Sequence, residues 1–357
     1  VLGANSKYDI CASTASSRTE NGQNLSSMGS LSDSNWVGST ISCGVCHSYT
    51  PDGRCASLFK VLMTNKCIYN CKYCFTQSLC PSKRMEFTPR EYANTFMKLY
   101  SMNVIEGLFI SSGVCGDADE TTKKMIEAVH IIRKEHNFRG YVHFKCLPGT
   151  SAYLLKEAMK LSDRISINLE APTKEHLNEI AEQKSYATDL LTRQRWLKSI
   201  RKRHNQIALK ELRDMCEDKG VPFNRQVYSV LKNERLHNGY QKVRWDNLPI
   251  LNSGQTTQFV VGAAGESDYD LLKRLDYQYR EIDLRRGYFS AFSPIKGTPL
   301  ENREGSNLQR EHRLYQADWL LRRYHFHIKD LKAILTDDEF LPDGDPKVHI
   351  ARRYFED

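Results

Sequence analysis

The chain has 357 residues, 40% of them hydrophobic and 26% charged, enough for a substantial core in one large domain or two ordinary ones. Its net charge of +8 favours an anionic partner. No apolar run approaches the roughly 20 residues that cross a bilayer, and the opening "VLGANSKYDI" lacks the charged-then-apolar design of a secretory signal, so no membrane partner and a cytoplasmic setting are expected. No initiator Met is present, which fits a trimmed start. The 11 cysteines are clustered and odd in number. Without a signal, that pattern points to metal or redox chemistry in a reducing compartment rather than to a disulfide scaffold.

Residues 1–56 are rich in Ser, Gly and Asn with no apolar period, and read as an irregular N-terminal wrap, with disorder expected around 17–35. "SLFKVLMTN" (57–65) is a β-like run. "TPREYANTFMKLYSM" (88–102) opens as a helix, with Thr as N-cap, Pro first and Glu third. Strand patterns follow at 104–113, 140–149, 163–172, 256–264 and 285–294. Helical ones alternate with them at 121–136, 151–162, 173–184 and 267–282, and "NLQREHRLYQADWLLRRY" (307–324) is a last long helix. About six β–α units predict an α/β fold with a parallel sheet, open or curled into a partial barrel. The expected organisation is a cysteine-containing extension over 1–56, the barrel over 57–300 with a basic helical insertion at about 185–250, and a C-terminal helical extension over 301–357.

The first strand runs directly into "NKCIYNCKYCFTQ" (65–77), where Cys67, Cys71 and Cys74 have Cys-x3-Cys-x2-Cys spacing. Zinc fingers normally offer two pairs of ligands, whereas here three thiolates come from one loop and Cys80 lies well beyond. Three thiolates can hold three irons of a cubane cluster and leave the fourth open, as a catalytic metal requires. The alternatives are a structural zinc site or scattered buried thiols.

At these residues the sequence resembles the radical S-adenosylmethionine (SAM) superfamily. The resemblance implies a partial (β/α)6 barrel and a [4Fe–4S] cluster whose open iron chelates SAM. It also implies a one-electron reductant such as flavodoxin or ferredoxin. Reductive cleavage of SAM then gives a 5′-deoxyadenosyl radical that abstracts hydrogen from the substrate. On this resemblance Tyr73 lies against adenine, and Ser111, Ser112 and Gly113 meet the SAM amino group. Lys145, Asn168 and Glu170 face its carboxylate and ribose, Gln258, Val260 and Gly262 resemble the adenine-contact strand, and Ser290 and Phe292 occupy the sixth strand.

Blocks outside these motifs, including "KYDICAST", "GVCHSYTPDGRC", "FRGYVHFKCLPG" and "TTQFVVGAAGESD", resemble the DNA modification/repair radical SAM protein family. That resemblance implies DNA as a partner, beside a uracil-DNA-glycosylase-like protein. Many members of that family end in a helix-hairpin-helix that grips DNA backbone, and "DPKVHIARRYFED" carries no clear hairpin of that kind. Between Arg193 and Arg213 stand eight Lys/Arg against one acid, Glu211. Arg193, Arg195, Arg201, Lys202 and Arg203 can neutralise phosphates and Trp196 can stack on an unpaired base; a solvated helix face with Trp196 in the core is the alternative. Cys11, Cys43, Cys46 and Cys55, near His47, are candidates for a second iron–sulfur cluster or for structural thiols. Cys115 and Cys146 can face the cavity, and Cys115 is a candidate hydrogen donor to a product radical. Alternative functions are a radical SAM enzyme acting on a peptide or small metabolite, and a zinc-stabilised nucleic-acid-binding module.

Overall fold

The computed structural model describes residues 1–5, 44–49, 55–218, 220–224 and 249–355, with the side chains of 4, 5, 47–49 and 55 left aside. Seven strands form one sheet in chain order: β1 (Val45–Tyr49), β2 (Cys55–Leu62), β3 (Gly107–Ser111), β4 (Val142–Lys145), β5 (Arg164–Ser166), β6 (Gln255–Val261) and β7 (Leu284–Ala291). From β2 to β7 every pairing is parallel. Helices α2 (Pro89–Ser101), α3 (Ala118–His130), α4 (Ala152–Leu161), α5 (Lys174–Ala181), α6 (Arg193–Asp218) and α7 (Asp268–Ile282) make the crossovers, after a single turn α1 (Leu2–Asn5) at the start. Parallel neighbours joined in strict sequence by crossovers of one hand keep their helices on one face, so the sheet curls into a half-barrel. The expected partial barrel is therefore the fold.

The sequence reading of 1–56 as irregular needs one correction. Val45–Tyr49 is a strand, paired antiparallel with β2 through Val45↔Phe59 to Tyr49↔Cys55, and it covers the edge that β2 would otherwise expose. The run 163–172, read as one long strand, is regular only over Arg164–Ser166. The chain then takes a left-handed turn at Glu170, with φ of +64°.

The helix-facing side of the sheet carries the main core. Phe59 packs edge-on against Tyr92 at 5.3 Å and Phe96 at 6.0 Å, and Leu108, Ile110, Val142, Phe144 and Ile165 are fully buried with them. Helix α2 starts as its sequence dictates: Thr88 accepts from the Glu91 N–H, and the Glu91 carboxylate accepts from the Thr88 N–H at 2.9 Å. At the far end, α8 (Leu308–Arg323), the short α9 (Ile328–Lys332) and α10 (Pro346–Phe355) follow β7. Among the described residues no helix is long and apolar enough to cross a membrane.

Candidate active site

Parallel half-barrels gather their loops at the C-terminal ends of the strands, and the cysteine loop leaves β2 at that end. Its two ends are closed on each other: Asn65 Nδ2 donates to Lys83 C=O at 2.8 Å, and the Met85 N–H donates to Asn65 Oδ1 at 2.7 Å. Inside this closure the Arg84 guanidinium donates to Asn65 C=O (2.6 Å), Thr76 C=O (2.8 Å) and Cys80 C=O (2.9 Å), and also to Gln77 C=O. The loop is docked outward too. The Ile68 N–H bonds Val114 C=O just after β3, while the Asn70 N–H reaches Gln183 Oε1 (3.0 Å) and the Lys72 N–H reaches Ile180 C=O (2.8 Å), both at the end of α5.

Cys71 is buried, and Cys67 and Cys74 are half-buried. Burial pushes the Cys71 thiol up to about 11, against the pull of Lys184, with Cys74 and Cys67 adding to the rise. Burial also raises Cys74, opposed by a 3.2 Å contact between its sulfur and the Thr76 hydroxyl. Burial therefore favours the protonated thiol at Cys71 and Cys74 until a metal compensates the thiolates. Lys184 is a cation beside them: it is buried, its Nζ lies 3.8 Å from Glu170 Oε1 and 5.8 Å from the Tyr69 ring centre. Burial opposes its charge, yet Cys71 and Glu170 hold its pKa above the ordinary lysine value. Tyr73 packs on the same carboxylate, and burial followed by Glu170 raises its phenol well above normal.

The other residues expected to hold SAM lie around this loop. Ser111 is buried at the end of β3, and the enclosed Ser112 Oγ has no hydrogen-bond partner among the described residues. A β-carbon at Gly113 would sit 2.4 Å from Lys66 C=O and 3.3 Å from Cys67 Cβ, so only glycine lets β3 meet the cysteine loop. Asn168 Nδ2 donates to Gln258 Oε1 at 3.3 Å across β5 and β6. Glu170 is fixed by backbone bonds on both sides, to Gln258 C=O and from the Val260 N–H. Lys145 is half-buried at the end of β4, and Val260, Ser290 and Phe292 are buried along β6 and β7. Gly262 stands slightly apart: its N–H is taken by Glu266, and Ser306 occupies the space a side chain would need.

The expected cavity thiols divide. Cys146 is buried after β4, where burial pushes its thiol up to about 12. Cys115 is half-buried beyond β3, with its N–H bonded to the Thr121 hydroxyl. Of the N-terminal group, Cys46 is buried on the inner face of the sheet with Leu58 and Phe109. Cys11 and Cys43 lie outside the described residues, as do the side chains of His47 and Cys55. On α6, Arg193 binds Thr150 C=O and Gly149 C=O and stacks on the half-buried Trp196, Arg195 reaches the Tyr277 hydroxyl, and Arg201 pairs with Asp283 at 2.8 Å. Lys202 and Arg203 are exposed. Sequence reasoning missed Arg84, Thr76 and Lys184, none of which sits in a spacing that marks it.

Residues 61–207 match the Radical SAM superfamily. That stretch holds the cysteine loop, β3 to β5 and the Glu170–Lys184 pair, so the site described above lies within a radical SAM domain. No curated protein matches the chain. Similar solved structures include methylornithine synthase (PylB), with TM-score 0.49 and 13% identity over 73% of this chain and 60% of that one. Another is the FeFe-hydrogenase maturase HydG from Carboxydothermus hydrogenoformans, with TM-score 0.47 and 12% identity over 73% of this chain and 50% of that one. The chain thus spans between half and three-fifths of the length of these neighbours.

The superfamily implies a [4Fe–4S] cluster and SAM: three thiols of one loop and a buried cation suit the cluster's chemistry, although among the described residues no three His, Cys, Asp or Glu side chains are gathered to hold a single metal ion, and Ser112 offers an unpartnered hydroxyl to a polar ligand. Gly113→Ala tests the approach of β3 to the loop. The added methyl meets backbone rather than a side chain that can swing away, which should cost about 1–3 kcal/mol. Melting of the iron-free protein and iron per chain should both fall; an unchanged melting temperature would mean that the loop shifts freely.

Proposed function

We propose that the protein uses the radical SAM reaction to abstract hydrogen from a nucleic acid or nucleotide, in modification or repair. The observation that carries the chemistry is the three-thiol loop docked on Val114, Ile180 and Gln183 at the mouth of the half-barrel. When bound, cluster and SAM supply a strongly oxidising carbon radical. The chain's own residues bind and orient them: Cys67, Cys71 and Cys74 hold three irons, Ser112 and Gly113 leave room for the SAM amino end, and Tyr73, Asn168 and Gln258 line the nucleoside side. A reductant of the flavodoxin or ferredoxin class delivers the electron. In this reading the barrel at 57–300 does the chemistry.

The substrate class rests on charge. Of the cations on α6, Arg193, Arg195 and Arg201 also brace the fold, while Lys202, Arg203, Lys210 and Arg213 are exposed. A base inside a duplex cannot reach a barrel mouth, so DNA would enter single-stranded or with its base flipped out. Binding of a labelled single-stranded oligonucleotide, titrated across salt, is the test. Lys202→Gln/Arg203→Gln should weaken binding about tenfold and flatten the salt slope by about 1.4, at 0.7 per phosphate lost. Binding indifferent to salt and to both charges would count against nucleic acid and for a peptide or small metabolite.

A further inference from the structure

We propose that Lys184 is the fixed cation that balances the thiolate-bound cluster and sets how readily it accepts an electron. The inference rests on the radical SAM reading above and adds a positioning residue to it.

The geometry begins with where the loop is pinned. Helix α5 ends at Ala181, and Lys184 follows three residues later with its N–H on Ala181 C=O at 3.0 Å. The middle of the cysteine loop hangs from the same short stretch, through Lys72 to Ile180 C=O and Asn70 to Gln183 Oε1. These bonds fix the backbone at Lys184 relative to the loop, and its ammonium is close enough for its charge to be felt at Cys71. Its surroundings leave it little freedom: the residue is 8% exposed, the Tyr69 ring lies beside it, and Glu170 faces it from the turn after β5. Glu170 itself is held in a left-handed conformation by its bonds to Gln258 and Val260, a strained arrangement that persists only when its surroundings fix it.

A charge count shows what the cation does. Glu170 neutralises one positive charge, so Lys184 and Glu170 alone would form an ordinary buried pair. Three thiolates on a [4Fe–4S]2+ core would together bring one net negative charge to the same place. One-electron reduction of the cluster by an external flavodoxin- or ferredoxin-class donor adds another, with no proton and no bond change in the protein. A cation at fixed distance favours the more negative form, and cluster potentials respond to net local charge and burial. Thr76, on the sulfur of Cys74, acts in the same direction through a hydrogen bond.

The test compares wild type, Lys184→Met and Lys184→Arg, purified without oxygen, by iron content and by a potentiometric titration followed by electron paramagnetic resonance. Lys184→Met should show about tenfold less reduced cluster at a given potential, which is 59 mV for a one-electron couple. Lys184→Arg keeps the charge and should stay within about twofold of wild type. Equal potentials in Met variant and wild type would overturn the proposal. Should Lys184→Met hold no iron, the Arg variant must restore it while the iron-free Met variant melts with iron-free wild type. Iron lost from both variants would mean that shape, not charge, is required, and the proposal fails. A wild type that takes up zinc and no iron overturns the radical SAM reading together with this proposal.

Discussion

Replacing Cys67, Cys71 and Cys74 together with alanine should remove about four irons per chain, the content of one [4Fe–4S] cluster, and with them all reductive cleavage of SAM. The loss should not come from unfolding. A free buried Cys packs as a small hydrophobe, and the loop keeps its shape through backbone and Arg84 bonds that use no thiol. Melting of the iron-free variant should therefore lie close to that of iron-free wild type. Single substitutions rank by burial: Cys71→Ala, at the most enclosed thiol, should be at least as damaging as Cys67→Ala or Cys74→Ala. Iron and sulfide assays on the wild type also count clusters. About four irons, all lost in the triple variant, leave Cys46 as a packing residue beside Leu58 and Phe109. About eight irons falling to four would place a second cluster on the cysteines before the barrel. Zinc in place of iron would end the radical reading.

The parts of this site legible in the sequence are those where one residue type is demanded by local geometry. Thr88, Pro89 and Glu91 must start a helix because their side chains and ring satisfy its first turn, and they do. The cysteine spacing is equally local. Gly113 was readable as a small residue near a ligand, but its reason is steric and belongs to Lys66, forty-seven positions away in the chain. The strand Val45–Tyr49 escaped because a short edge strand carries little periodicity; its pairing with β2 gives it order that "VCHSY" alone does not announce. Glu170 looked like the tail of a long strand, yet a left-handed backbone there ends the ladder and turns the carboxylate toward Lys184. Lys184 had no signature at all, since a lysine just past a helix end is normally solvated. The basic run on α6 illustrates the converse. Charge is visible in a sequence, but whether an arginine caps carbonyls, as Arg193 does at Gly149 and Thr150, is decided by the fold.

Arg84→Met should loosen the cysteine loop without unfolding the barrel. Four carbonyls, of Asn65, Thr76, Gln77 and Cys80, converge on this one guanidinium. Bonds to a charged donor contribute about 1.5–3 kcal/mol each. Water replaces some of them in a part-buried loop, so a net loss of about 3–4 kcal/mol in the closed state is reasonable. The loss is local, because Arg84 touches only the loop and its closing segment while the barrel core is built from Phe59, Phe96, Phe144 and their neighbours. Opening of the loop should become about 100- to 1,000-fold more frequent, at tenfold per 1.4 kcal/mol. Amide exchange at Cys74, Gln77 and Ser78, whose N–H groups bond within the loop, should lose protection by that factor while Leu108 and Phe144 keep theirs. Cluster retention should fall in parallel, because three ligands at fixed spacing become three ligands on a flexible strand. Lys at this position offers one point charge where the fork of Arg reaches four carbonyls, so Arg84→Lys should recover only part of the protection. Unchanged exchange in the loop with full iron content in Arg84→Met would show that the docking bonds to Val114, Ile180 and Gln183 suffice to hold the thiols in place.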